Sequence, residues 1–194
     1  MQDPALDSMR GVGVYDAVAV LVVTFSDPVI MNVRDVESLL TLISRLATDV
    51  KRVAEEKQLF AVELAGHRMI CMSGCTTQSD SNALVRIADA ALKMREAFIR
   101  TLAEADLEPV FAMGIDYGPA FGGVLGEEGH VFNLWGQTVS LAELMAESAS
   151  DPGVIQVTER VYAVLREQYL LRSRGTFFAS NLGVGRAYTL VARR

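Results

Sequence analysis

Two side chains with the chemistry of metal ligands lie beside apolar segments of this sequence. Asp27 follows a continuously apolar run that ends at Phe25, so its carboxylate would project where a buried strand stops. His67 stands in a short segment between two further apolar runs. Together they could hold a transition metal, because imidazole is a poor ligand for Mg²⁺ and prefers zinc and related ions. The alternatives are an aspartate that closes a turn before Pro28 and a turn histidine with no ligand role.

The two cysteines offer a second chemistry. Cys71 and Cys75 form a CxxxC pair, which could act in redox exchange or supply half of a metal site. No second cysteine pair accompanies them, and the only histidines stand at positions 67 and 130. Reduced thiols close to a strand end are therefore the favoured interpretation.

The composition indicates one globular domain without electrostatic affinity for polyanions. The chain has 194 residues, of which 51% are hydrophobic and 22% charged, enough for a substantial core. A formal net charge of −6 gives no basic surface for nucleic acid and disfavours anionic membranes. The apolar run 17–25 is far shorter than the roughly 18 residues of a membrane-spanning helix, and no signal peptide is evident. We therefore expect a cytoplasmic domain without direct membrane insertion, alone or as the cytosolic part of a larger sensor or membrane protein.

The apolar periodicity predicts the elements that must position these residues. A strand at 17–26 should precede a helix from Asn32, its expected N-cap, to Lys57. Two strands around a glycine turn, a second helix, and a strand that Gly118 and Pro119 should stop would follow. The predicted elements after the first helix are strands 59–64 and 68–73, helix 78–102, strands 108–117 and 121–125, helix 138–148, strand 153–157, a short helix to 165, and strands 168–172 and 186–192.

This order predicts an α+β fold. Its core would be a ferredoxin-like β-α-β-β-α-β unit with an extra C-terminal helix and strands, and with the helices on one face of the sheet. We expect one domain over 17–194. Residues 1–16 mix Asp, Pro, Ser and Gly, which is typical of a linker or an expression remnant.

Five blocks carry a resemblance to a known family. Residues 132–145 read F-N-L-W-G-Q-T-V-S-L-A-E-L-M and are similar to L-W-G-[DST]-x-V-N-x-A-x-R-M. The others are 23–27, similar to V-L-F-[AST]-D; 65–74, similar to I-G-D-A-x-M-A-V-x-G; 113–126, similar to I-G-I-H-x-G-P-V and then A-G-x-V-G; and 153–159, similar to G-x-I-x-V-S-E. In this order, the blocks resemble the catalytic domain of class III adenylate and guanylate cyclases over about 17–191.

The resemblance implies conversion of a nucleoside triphosphate into a 3′,5′-cyclic monophosphate and pyrophosphate with two Mg²⁺ ions. Asp27 matches the first metal-binding aspartate of the family, but His67 stands at the position of the second. Glu63 falls on the base-selecting lysine, which reverses the charge there. Gln137 falls on the partner position, where an amide can still hydrogen-bond a purine edge.

The family positions that handle ribose and phosphate are also changed. Ser140 replaces the asparagine that orients the ribose, and Leu144 replaces the arginine that stabilises charge on the phosphates. The late lysine that holds the terminal phosphates would fall near 181–183, where no lysine stands. Removal of one such donor typically lowers the rate about a hundred- to a thousand-fold.

Three functions remain open at this point. The first is an inactive cyclase-homology domain that acts by dimerisation, as a homodimer or with a related cyclase domain, and needs no cofactor. The second is a divergent active cyclase that uses Asp27, His67 and an unusual metal, or is completed by a partner, with Mg²⁺ or Mn²⁺ as cofactor. The third is a sensor that binds a purine nucleotide through Gln137 without turnover.

Overall fold

A computed structural model of the chain describes residues 13–25, 35–65, 68–76, 80–125, 131–179 and 183–194. These residues contain four helices and eight strands in an order that begins β-α-β-β-α-β, as predicted. The elements are β1 (Gly13–Phe25), α1 (Val36–Glu56), β2 (Phe60–Ala65), β3 (Arg68–Ser73), α2 (Ala83–Glu104), β4 (Phe111–Leu125), β5 (Val131–Trp135), α3 (Gln137–Glu147), β6 (Ile155–Thr158), α4 (Glu159–Leu165), β7 (Tyr169–Ala179) and β8 (Gly183–Arg193).

The described strands form one mixed sheet with the order β2-β3-β1-β4-β6-β8-β7, and β5 pairs with the far end of β4. The first four strands are antiparallel in the order expected of a ferredoxin-like core, and β6 then pairs parallel to β4. The α+β fold with additional C-terminal elements is therefore confirmed.

Strand β1 lies in the centre of the sheet, between β3 and β4. Residues 18–23 are fully buried, which explains why this stretch is apolar at every position rather than at alternate ones. Ala19, Leu21 and Val23 face a core shared with α1, α2 and α4, whereas Val18 and Val20 face a second core shared with α3. The prediction that all helices lie on one face is wrong, because α3 covers the opposite face of the sheet.

Several predicted boundaries also differ from the structure. Strand β1 begins at Gly13, four residues before the predicted start. Helix α1 is capped by Asp35, whose Oδ1 accepts from the Ser38 N–H at 2.8 Å, whereas the predicted cap Asn32 lies outside the described residues. Strand β4 continues through Gly118 and Pro119 to Leu125, because its extension pairs with both β1 and β5. No helix of the described residues is long and apolar enough to cross a membrane.

Candidate functional site

The helix with most of the implied site residues, α3, is placed by two glycines. Gly136 joins β5 to α3 with a φ of 127°, a backbone conformation that side-chain-bearing residues rarely adopt. Gly114 of β4 lies directly beneath the helix, where an added Cβ would be 2.0 Å from the carbonyl oxygen of Ala142. The helix backbone therefore packs directly against the backbone of the sheet, and its residues Ala142 and Met145 are buried.

Gln137, Ser140 and Leu144 share one face of α3, because they are spaced by three and four residues. Gln137 and Ser140 are exposed and Leu144 is half-buried. The Ser140 hydroxyl donates to the carbonyl of Gly136 at 3.4 Å, within the helix itself. This face thus presents one amide, one hydroxyl already used by the backbone, and one hydrocarbon side chain, and it offers no cation to a phosphate.

The two predicted metal ligands, Asp27 and His67, both lie outside the described residues, so their predicted roles stay predictions. Glu63 lies in β2, but its side chain is outside the described part of the structure. Across the described ranges, no group of three or more His, Cys, Asp or Glu side chains could hold a metal ion. The donor set named from the sequence, one carboxylate and one imidazole, does not suit two Mg²⁺ ions, which prefer oxygen ligands.

The cysteines are buried and free rather than paired. Burial raises the pKa of both Cys71 and Cys75 to about 12, so neither thiol ionises near neutral pH. Their burial therefore favours structural thiols over a redox pair.

An ion pair beside α3, whose carboxylate is buried and whose guanidinium is partly exposed, was not identified from the sequence. Asp116 of β4 is fully buried, where it accepts from the Thr158 hydroxyl at 2.5 Å and from the guanidinium of Arg160. Burial raises the pKa of Asp116 above its usual value, and the hydrogen bond from Thr158 and the charge of Arg160 offset only part of this effect. One signal was present in the sequence, because Asp116 is a charged residue in an apolar strand at a position where the family pattern reads His.

Glycine at position 118 leaves space for the arginine of this pair. A Cβ at Gly118 would lie 2.8 Å from Nη1 of Arg160 and 3.1 Å from Oγ1 of Thr138. The Thr138 hydroxyl itself donates to the carbonyl of Pro119 at 2.7 Å, which ties the first turn of α3 to β4. The guanidinium therefore lies over bare backbone between β4 and α3.

A cavity of about 230 Å³ opens beside this arginine, between the first turn of α3, α4 and the β7–β8 pair. It contains two guanidinium groups, one carboxylate, one amide and one aromatic ring. The lining residues that carry these groups are Gln137, Glu159, Arg160, Phe177 and Arg186.

A second ion pair joins α3 to strand β3. Arg68 at the start of β3 contacts Glu143 of α3, with Nη1 and Oε1 3.0 Å apart, and lies 3.9 Å from Glu147. This contact links β3, which pairs with the strand that contains Glu63, to the helix that contains Gln137. Strands β1, β4 and β6, which contain parts of three family blocks, also contact α3.

The family model of the adenylate and guanylate cyclase catalytic domain matches residues 14–191, nearly the whole chain. The chain belongs to this family. A curated relative, the adenylate cyclase of Mycobacterium tuberculosis, is 28% identical over 157 residues, which are 80% of this chain and 35% of that protein. The chain thus spans about a third of the length of this relative.

Solved structures of cyclase domains have the same fold. The guanylate cyclase domain of RhGC from Catenaria anguillulae, in complex with GTP, has a TM-score of 0.82 at 21% identity and covers 94% of this chain and 100% of its own. A non-canonical dimeric guanylyl cyclase domain of RhoGC from Blastocladiella emersonii has a TM-score of 0.76 at 17% identity and covers 95% and 98%. At these identities, the structural likeness establishes the shared fold of the domain and nothing finer.

Proposed function

We propose that this domain is a catalytically inactive member of the cyclase family whose retained role is self-association in a signalling protein. The observation that carries the proposal is the exposed face of α3, where Ser140 and Leu144 stand at the positions of the ribose-orienting and phosphate-stabilising residues. Leucine donates no hydrogen bond, and the Ser140 hydroxyl is bonded to the helix backbone. Each lost donor removes roughly 2–4 kcal/mol of transition-state stabilisation, so two losses already make turnover negligible.

The metal half of the family chemistry is weakened as well. With His67 in place of the second aspartate, one carboxylate at Asp27 would have to bind and neutralise a two-metal cluster. An active divergent cyclase would therefore need different groups, on this chain or on a partner. We rank it below the inactive domain.

A surface that fits self-association lies on the β1–β4–β5 extension. Val14, Phe121 and Trp135 are adjacent on three paired strands, because Phe121 is opposite both of the others. They are 79%, 52% and 38% exposed, and the Phe121 and Trp135 rings stack with centroids 6.0 Å apart. A contiguous exposed patch with two aromatic rings is typical of a protein interface. A second copy of this chain is the simplest occupant, since most oligomers of one chain are symmetric dimers.

Sedimentation analysis of the wild type and of a Phe121→Ser, Trp135→Ser double variant tests this role. We expect a dimer whose dissociation constant rises at least tenfold in the double variant, because buried aromatic anchors dominate interface energies. Phe178→Ser is the matched control, since Phe178 is 70% exposed on β7, away from this extension. A wild-type monomer at high concentration, or equal effects of the control and the double variant, would remove the self-association proposal.

A further inference from the structure

Arg160 is held in place from its buried side. Asp116 binds its guanidinium from within the sheet, and Thr158 in turn fixes the carboxylate. An arginine carries five N–H donors, and among the described residues Asp116 is the only acceptor for those of Arg160. The Arg160 side chain stays 38% exposed and lines the cavity. A positioned guanidinium with unused donors is therefore available at the cavity wall.

A second guanidinium lines the same cavity. Arg186 of β8 is 68% exposed, and its Nη1 lies 3.6 Å from Oε1 of Glu159, which is 56% exposed. An exposed pair at this distance contributes little, typically less than about 1 kcal/mol. The pair would open readily for a ligand with more negative charge than one carboxylate. Arg186 is thus the adjustable cation of the cavity, whereas Arg160 is the fixed one.

The remaining wall of the cavity offers an aromatic ring and an amide. The Phe177 ring lies over Gly185, where an added Cβ would be 2.7 Å from the ring. Gln137 is the first residue of α3 and lines the cavity with an amide that is both a hydrogen-bond donor and an acceptor. These groups suit a ligand with a flat or polar portion next to its charged group.

We propose that this cavity binds a small phosphate-bearing molecule, whose phosphate oxygens are held by Arg160 and Arg186. One guanidinium satisfies a carboxylate through two parallel hydrogen bonds, whereas a phosphate has more oxygens and more charge and can engage two guanidiniums at once. The volume of about 230 Å³ is below the range of roughly 300–1,000 Å³ typical of pockets for drug-sized ligands. The cavity therefore holds a phosphate group and its immediate neighbourhood rather than a whole nucleoside triphosphate.

This inference goes beyond the proposed self-association, because one copy of the chain supplies every group that it uses. It also uses neither Ser140 nor Leu144, which stand at the family's own positions for ribose and phosphate contacts. The two arginines belong to α4 and β8, and Asp116 of β4 positions one of them. Anion binding would therefore persist without the family's catalytic donors, because it depends on different residues.

Titration calorimetry with inorganic pyrophosphate, AMP and adenosine tests the proposal. The variants are Arg160→Gln and Arg186→Gln, and the control is Arg174→Gln on β7, which removes an arginine that pairs with Asp151 and does not line the cavity. We expect pyrophosphate or AMP to bind at or below millimolar concentration and adenosine not to bind. Each cavity variant should weaken the binding about tenfold or more, because each removes a charge-assisted hydrogen bond, and the control should leave it unchanged.

The two sources of phosphate are separated within the same experiment. AMP that binds at least tenfold more tightly than pyrophosphate identifies a nucleotide, while equal affinities identify the inorganic anion as sufficient. Arg186→Gln changes an exposed side chain and should keep the fold. It therefore tests anion binding even if Arg160→Gln leaves Asp116 without its partner and unfolds the protein. No heat at millimolar pyrophosphate and AMP, or the same affinity in Arg186→Gln as in the wild type, would overturn the proposal.

Discussion

Replacement of Gly114 by alanine should displace α3 from the sheet. An added Cβ would lie 2.0 Å from the Ala142 carbonyl oxygen, 2.4 Å from the Ala146 nitrogen and 2.9 Å from the Met145 carbonyl carbon. All three atoms belong to the backbone of one helix, so no rotation of a side chain relieves the contact. The φ of Gly114 is outside the left-handed region, so the effect comes from lack of space and not from the backbone conformation.

The size of the effect follows from this geometry. A Cβ atom essentially never lies closer than 3.0 Å to another heavy atom, so the helix must move away from the buried Gly114 by about 1 Å. Overpacking of a well-packed core costs about 1–3 kcal/mol, and a contact with rigid backbone belongs at the upper end. For a domain of this size, about 3 kcal/mol lowers the melting temperature by about 6–12 °C.

Thermal unfolding followed by circular dichroism, together with urea unfolding, measures the change. Gly13→Ala is the matched control, because its Cβ would meet only the Tyr15 side chain, at 3.3 Å, near the start of β1. We expect the control to stay within about 0.5 kcal/mol of the wild type. A Gly114→Ala protein as stable as the control would refute the backbone-to-backbone packing of α3.

Two further predictions concern buried ionisable groups. Burial raises the pKa of Asp116 above 3.8, so between 3.8 and its folded value the folded state binds more protons than the unfolded state, and stability falls as the pH rises through that range. Asp116→Asn should remove this contribution, which urea unfolding of both proteins across the acidic range measures as a difference; identical pH profiles would contradict it. Cys71 and Cys75, whose pKa values are raised to about 12 by burial, should not react with a thiol reagent at neutral pH until the protein unfolds. Rapid labelling of the native protein would show that these thiols are not buried as described.

The sequence was sufficient for the features that depend on local pattern. The continuous apolar run at 17–25 predicted a strand covered on both faces, and β1 is buried in this way between two cores. The helix predicted at 138–148 is α3, which begins one residue earlier, after the positive-φ turn at Gly136. The apolar periodicity and the turn residues predicted the order of the elements, and hence the α+β fold.

Features that depend on contacts between distant segments were not predictable. The side of the sheet that α3 covers depends on Gly114, which lies 28 residues before Ala142 along the chain, and no periodicity within α3 reveals it. The pair of Asp116 and Arg160 joins residues of two elements that meet only because β6 pairs parallel to β4. Gly118 was expected to stop a strand, yet in the fold it lies within β4 and leaves space for Arg160.

The most direct test of the account is measurement of cyclic nucleotide formation by the wild-type protein. ATP or GTP with Mg²⁺ or Mn²⁺ is incubated with the protein in molar excess, and 3′,5′-cyclic AMP and GMP are quantified by mass spectrometry against a protein-free control. The account predicts no product above the control, for the wild type and for Ser140→Ala and Leu144→Ala alike. Clear formation of product by the wild type would contradict it, and a lower yield from either variant would show that the α3 face is catalytic.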